Sequence, residues 1–281
     1  MKEFDGVIKA ALKEDIGTGD VTTRFFVPLG TRFYGEMRTR DVGVFCGGEV
    51  AKRVFALAAP GSRVTIVKKD GARVKKGDVL MKVEGPASIL TAERTALNFM
   101  QHMSGVATKA AQFAAVLKGS RTKIYDTRKT LPGLRRIEKY AVRCGGGSNH
   151  RLGLYDMAMI KDNHVAFAGN SAEVLGARMA AMRKAKPGLK IELEVDTLAQ
   201  LKAFLPLGAD VIMLDNMAYA DMKQAIALIR AFGKKTEVEI SGGVDLKMAA
   251  RYAKLGADRI SAGSITSGAR PLDISFEVTT K

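Results

Sequence analysis

The chain has 281 residues, 47% apolar and 26% charged, and 45 Lys and Arg against 29 Asp and Glu give it a formal net charge of +16. This is the make-up of a globular protein long enough for one large domain or two modest ones, and it argues against a disordered or fibrous chain. No apolar run approaches the roughly 18 residues of a membrane-crossing helix, so no membrane partner is expected.

The opening residues, MKEFDGVIKAALKEDIGTGD, mix acids and bases without the apolar core of a signal peptide, and the expected setting is the cytoplasm. The basic residues are spread in pairs such as Lys68-Lys69 and Lys75-Lys76. They lack a basic tail, zinc-finger spacing or an RNA-binding aromatic motif, and Trp is absent. Nucleic acid is therefore not the expected partner; most of the charge reads as solvated surface. Cys46 and Cys144 lack metal-type spacing and are expected to be reduced thiols, Cys144 as a packing residue.

The first part of the chain has short strand-like runs at Phe33–Arg38, Val42–Cys46, Arg63–Lys68 and Asp78–Val83, separated by glycine turns. Gly47-Gly48 precedes a helical run, Glu49–Leu57. From Ile89 to about Leu117 apolar residues recur at helical spacing, with Gly105 expected to break or bend the run. On spacing alone, Arg94 reads as a solvated helix arginine. The pattern changes near residue 105.

From there a repeating grammar sets in: a short apolar run, a polar or glycine cluster, a helix-like segment, and the cycle again. The runs end at Asp126-Thr127-Arg128-Lys129, at Lys161, at Glu194, at Asp215, at Ser241-Gly242-Gly243 and at Ser261-Ala262-Gly263. Spacings of 33, 33, 21, 26 and 20 residues suit strand–helix units of a parallel sheet. Leu207-Gly-Ala-Asp210 and Leu255-Gly-Ala-Asp258 echo one another, each before an apolar strand. A (β/α) barrel with chemistry at the strand C-termini is expected, with an open doubly wound sheet as the alternative.

Between Arg121 and His164 there are ten Lys or Arg against four Asp or Glu. Cations crowded around Gly145-Gly146-Gly147 suit an anionic ligand. The strand ends offer Arg128, Lys129, Lys161, Glu194 and Asp215, and the loop after the glycines adds His150 and Arg151. The two glycine turns let backbone amides approach a phosphate. Together these groups point to a phosphorylated sugar, with Glu194 and Asp215 on ribose hydroxyls or holding Mg²⁺ through diphosphate oxygens. His102 and His164 read as structural residues, and Leu134–Cys144 as a short helix.

At these residues the chain resembles the quinolinate phosphoribosyltransferase family over essentially its whole length. The matching blocks are EDIGTGDVTT (Glu14–Thr23), ERTALNFMQHMSG (Glu93–Gly105) and DTRKTLPGLRRIEKYAVRCGGGSNHRLGLYDMAMIKDNH (Asp126–His164), then ELEVDT, MLDNM, SGG and SAG in family order. The resemblance implies an N-terminal α/β sandwich, residues 1–105, and an incomplete seven-stranded α/β barrel, residues 106–270, with the tail 271–281 returning to the first domain. It implies a homodimer with sites shared between subunits, and two substrates, quinolinate and phosphoribosyl pyrophosphate. Arg94, contributed by the partner, would bind quinolinate together with Arg128, His150, Arg151 and Lys161, reversing the bland reading of Arg94. Lys129, Glu194 and Asp215 would address phosphoribosyl pyrophosphate, Glu194 and Asp215 its Mg²⁺ directly or through the substrate, and the two glycine turns its 5′-phosphate. Lys129, Lys161, Glu194 and Asp215 are the expected catalytic groups. One departure stands out: Ser264-Ile265-Thr266-Ser267-Gly268 replaces the family's usual Thr-His-Ser. The rival readings are a diverged family member with another acceptor, a barrel lyase using Lys161 as a Schiff base, and a basic nucleic-acid-binding protein.

Overall fold

The structure is a computed structural model and describes residues 2–233 and 235–280. These fall into two compact units, one built from 2–111, 130–146 and 265–280, the other from 112–129 and 147–264.

The first unit opens with α1 (Asp5–Ile16) and the short α2 (Val21–Phe26). Asp20 caps α2, accepting the Thr23 N–H at 2.9 Å and so filling a donor that a helix start leaves unpaired. There follow β1 (Arg32–Thr39), β2 (Gly43–Val44), α3 (Gly48–Ala58), β3 (Arg63–Ile66), β4 (Arg73–Val74), β5 (Val79–Pro86), α4 (Ser88–Val116) and α5 (Arg135–Cys144). The last strand, β12 (Ile274–Thr280), joins an antiparallel sheet in the order β12-β1-β5-β3, while β2 pairs with β4. Alternate residues of β1 are buried from Phe33 to Thr39, the period of a strand with one covered face. The Val42–Cys46 run is a strand only at Gly43–Val44, because Gly47 turns the chain into α3 with φ +103°. Helix α4 passes through Gly105 without the expected interruption. The glycine serves close approach: a Cβ there would lie 2.3 Å from the Arg270 carbonyl oxygen. Lys281, the end of the expected returning tail, lies outside the described residues.

The second unit alternates strands and helices: β6 (Lys123–Tyr125), β7 (Ala158–Ile160), α6 (Asp162–Phe167), α7 (Ala172–Ala185), β8 (Ile191–Val195), α8 (Leu198–Phe204), β9 (Val211–Asp215), α9 (Tyr219–Ala231), β10 (Glu237–Ser241), α10 (Leu246–Tyr252) and β11 (Arg259–Ser261). The strands are parallel in the order β6-β11-β10-β9-β8-β7, so the first lies beside the last, as in a barrel. Among the described residues this sheet has six strands rather than the seven expected. The seventh place, on the other edge of β6, is a single parallel bridge between Tyr125 and Ser148. There the Ser148 N–H bonds the Ile124 carbonyl at 2.8 Å and the Asp126 N–H bonds the Ser148 carbonyl at 3.1 Å. Every residue of β8 is buried, as expected where both faces of a parallel sheet are covered.

The two Leu-Gly-Ala-Asp echoes perform one job twice. Gly208 and Gly256 end their helical turns in the left-handed conformation, at φ +70° and +77°. An arginine donates to each glycine carbonyl, Arg183 at 2.6 Å and Arg230 at 3.1 Å. A threonine hydroxyl donates to each alanine carbonyl, Thr236 to Ala209 at 3.1 Å and Thr122 to Ala257 at 2.7 Å. Each aspartate then grips the preceding strand with both its N–H and its carboxylate: Asp210 the backbone of Ile191, Asp258 that of Val238. Its carbonyl accepts from the strand on the other side, Glu237 for Asp210 and Lys123 for Asp258.

Replacing Asp258 by Ala should cost about 2–3 kcal/mol at pH 7, because the Val238 N–H and the Arg230 guanidinium lose a charged partner. Burial works against the Asp258 carboxylate, but Arg230, the Val238 N–H and the charge of Arg121 outweigh it and hold the group below 3.8. A depressed carboxylate contributes fully above its unfolded value and loses that contribution as pH falls through the folded one. Urea unfolding should therefore separate the two proteins at pH 7 and bring them together in acid below pH 3.8; an unchanging gap would refute this role.

Candidate active site

All six parallel strands deliver residues to one cavity of about 550 Å³. Thr127, Arg128 and Lys129 follow β6, Lys161 follows β7, and Glu194 and Asp215 stand at the ends of β8 and β9. Ser241, Gly242 and Gly243 close β10, Ser261 closes β11, and His150 and Arg151 enter from the loop before β7. Three expected site residues lie off the lining. Ala262 is buried behind the rim, its N–H bonded to the Tyr125 carbonyl at 3.1 Å. Gly263 backs onto the lining, since a Cβ there would meet Lys129 Cδ at 2.8 Å. Arg94 is an exposed residue of α4 in the first unit.

Local chemistry fixes these ends. Asp126 is fully buried and accepts the His150 N–H at 2.7 Å, tying the start of the Thr127-Arg128-Lys129 segment to the His150 loop. Gly242 sits at φ +106°, and a Cβ there would strike Asn216 Oδ1 at 2.3 Å. Asn216 is itself left-handed, at φ +53°; it donates its N–H to the Ser241 carbonyl at 3.1 Å and its amide to Asp215 at 2.6 Å. A Cβ at Gly243 would meet nothing within 4 Å, so that backbone is open to a ligand.

Four Lys or Arg side chains line the cavity (Arg128, Lys129, Arg151 and Lys161) against three carboxylates (Glu194, Asp215 and Glu239). Lys161 Nζ lies 2.5 Å from Glu194 Oε2. Arg151 donates to the Met157 carbonyl at 3.2 Å and to the Met159 sulfur at 3.4 Å. Burial and the neighbouring charge of Arg128 push its guanidinium below its usual range. Two guanidiniums lining one cavity suit an anionic ligand. Among the described residues, clusters of three or more His, Cys, Asp or Glu side chains occur at Cys46–Asp70–Cys144 and at His150–Glu192–Glu239. Glu194 and Asp215 belong to neither cluster.

Glu192, Glu239 and Asn216 escaped the sequence reading. The missed signal is the alternation Glu192-x-Glu194 and Glu237-x-Glu239, acids at strand period in apolar runs. His150 Nε2 lies 3.1 Å from Glu192 and 3.4 Å from Glu239, all three groups being buried. Burial alone would lower the imidazole, but the two carboxylates more than reverse this and push it up to about 9. Burial and the charge of Glu239 raise Glu192 as well. His150 Nδ1 accepts the Arg151 N–H at 2.8 Å, so the ring's first proton sits on Nε2 and a second must displace that bond. The cluster is thus a proton-rich base to the cavity, two carboxylates competing with one imidazole for protons.

Substituting Glu239 by Gln removes one of the charges that hold the His150 proton. Its imidazole resonances, followed by NMR, should then titrate well below the value near 9 of the parent protein. An unchanged midpoint would remove Glu239 from this role.

A family model described as "Quinolinate phosphoribosyl transferase, N-terminal domain" matches residues 20–104, and its C-terminal counterpart matches residues 106–277. A nicotinate-nucleotide pyrophosphorylase [carboxylating] of Mycobacterium leprae is 44% identical over 98% of each chain. A probable enzyme of that name from Bacillus subtilis is 41% identical over 95% of this chain and 90% of its own. The crystal structure of NadC from Streptococcus pyogenes superposes with a TM-score of 0.92 at 38% identity, covering 100% of this chain and 98% of that one. With both halves matched and close relatives aligned nearly end to end, the chain belongs to the quinolinate phosphoribosyltransferase family.

Proposed function

We propose that this protein transfers phosphoribosyl from phosphoribosyl pyrophosphate to quinolinate with loss of CO₂, giving nicotinate mononucleotide and diphosphate, a step of NAD biosynthesis. The observation that carries this reading is the meeting of Arg128, Lys129, Arg151 and Lys161 in one cavity beside Glu194 and Asp215. Both substrates are polyanions, and their mutual repulsion must be offset before they can meet. Arg128 and Arg151 hold the carboxylates of the diacid and orient the ring, with Lys161 and His150 beside them. The pyridine nitrogen then attacks C1 of the ribose as diphosphate departs.

Lys129 stabilises charge gathering on the leaving diphosphate, and Glu194 and Asp215 stand by the ribose, where carboxylates favour a cation-like C1. When bound, Mg²⁺ would neutralise the diphosphate, held by Glu194 and Asp215 directly or through diphosphate oxygens. The Ser241-Gly242-Gly243 and Ser261-Ala262-Gly263 turns take the 5′-phosphate; the open backbone at Gly243 supports this. After transfer, the cationic ring nitrogen accepts the electrons released as CO₂ leaves C2, so the substrate is its own electron sink.

This reading includes a homodimer in which the exposed Arg94 of one protomer completes the site of the other, supported by the Glu93–Gly105 block of the family match. It also includes a cytoplasmic setting, supported by opening residues that mix acids and bases without an apolar core. No described helix is long and apolar enough to cross a membrane.

Protein mixed with Mg²⁺, quinolinate and phosphoribosyl pyrophosphate should yield nicotinate mononucleotide and CO₂, while nicotinate in place of quinolinate should release no CO₂. Product formation absent in the complete mixture would reject the reading. Arg128→Ala and Arg151→Ala should each lower kcat/KM by about a hundredfold or more, roughly 3 kcal/mol of transition-state binding, with unchanged circular dichroism. Near-parent turnover in either variant would remove that arginine from the site.

A further inference from the structure

Within the first unit, two cysteines remote in sequence lie side by side. The sulfurs of Cys46 and Cys144 and a carboxylate oxygen of Asp70 all fall within 4.8 Å of one another. Cys46 is fully buried at the entry to α3, its N–H bonded to Ser104 Oγ at 2.9 Å and its carbonyl accepting the Ser104 hydroxyl at 3.0 Å. Cys144 is half-buried and ends α5.

Asp70 clasps the two segments. One of its oxygens accepts the N–H groups of Gly47 and Gly48, at 3.1 and 2.9 Å, next to Cys46. The other accepts the Tyr140 hydroxyl at 2.8 Å, and Tyr140 lies one helical turn before Cys144, on the same face of α5. The carboxylate is thereby saturated with donors, which leaves it poorly placed to ligate a metal and well placed to hold the two thiols together. The backbone at the helix end is confined as well. A Cβ at Gly71 would lie 3.1 Å from the Cys144 carbonyl oxygen, and one at Gly145 would lie 2.2 Å from the Ala107 carbonyl oxygen.

We propose that Cys46 and Cys144 form an oxidisable dithiol, a modification site that closes to an intramolecular disulfide on reaction with hydrogen peroxide. Cys144, the partly exposed thiol, reacts first. As thiolate it attacks a peroxide oxygen, the O–O bond breaks, and the departing oxygen leaves as water after taking a proton, giving a sulfenic acid. The Cys46 sulfur then attacks the Cys144 sulfur, the S–O bond breaks, and the hydroxide that departs takes the Cys46 proton as a second water. Two thiols lose two electrons and one peroxide gains them.

Burial sets the order, because the oxidant cannot reach Cys46. The thiols differ in acidity in the same sense. The hydrogen bond from Cys46 draws Cys144 down despite burial and the charge of Asp70, whereas burial pushes Cys46 up. Only the thiolate is nucleophilic, so the accessible sulfur is also the more reactive one.

The reduced full-length protein should be exposed to a small excess of hydrogen peroxide and examined by intact mass, thiol titration and non-reducing peptide mapping. The mass should fall by two hydrogen atoms, both thiols should cease to titrate, and one linked peptide should join Cys46 to Cys144, all reversed by dithiothreitol. Cys46→Ser should stop at a sulfenic acid on Cys144 that a dimedone reagent captures, and Cys144→Ser should leave Cys46 unmodified. Two thiols still titrating after peroxide, a disulfide between chains in place of the internal one, or zinc retained by the pair against oxidation would each overturn the proposal. The parent protein alone decides the first two outcomes, so a poorly folding variant does not blunt the test.

Discussion

Parallel strands share one direction, and everything at the cavity follows from that. In an antiparallel sheet, neighbouring strands end on opposite sides. Here the ends of β6 to β11 all arrive on one side, although they are spread over about half the chain. Each end contributes one or a few side chains, and cations reach the cavity from three segments, Arg128 and Lys129 after β6, Lys161 after β7 and Arg151 from the loop before β7. Four of them can then share about 550 Å³ with three carboxylates.

Holding the strands in that direction is the task of the opposite side of the sheet. The paired Leu-Gly-Ala-Asp segments set the level of β8 against β9 and of β10 against β11 and β6, using backbone groups that would otherwise lack partners. A parallel sheet register that slipped by one residue would turn every inward side chain outward. Glu192, Glu194, Asp215 and Glu239 would then leave the interior, and the cavity would lose its acids along with its shape.

Much of this was legible in the chain itself. The spacing of strand-ending clusters specifies the parallel architecture, and the basic block from Arg121 to His164 marks the cavity. Gly105 misled because a glycine in a helix reads locally as weakness, while its partner, the Arg270 carbonyl, is distant in sequence. The strand at Gly43–Val44 is shorter than its apolar run because a left-handed glycine outranks propensity. Glu192 and Glu239 were overlooked for a different reason: a buried acid gains its meaning from a partner, and His150 arrives from another loop. The pairing of Cys46 with Cys144, nearly a hundred positions apart, was equally invisible to spacing.

The division of labour between the two ends of the parallel sheet has an evolutionary corollary. Latches such as Asp210 and Asp258 bear on the register of the strands, whereas Arg128, Arg151 and the Ser241-Gly242-Gly243 turn line the cavity. Mutations that retune the bound acceptor therefore fall on loops whose failure does not unravel the scaffold. A lineage built this way can wander among related acids while its architecture stays put.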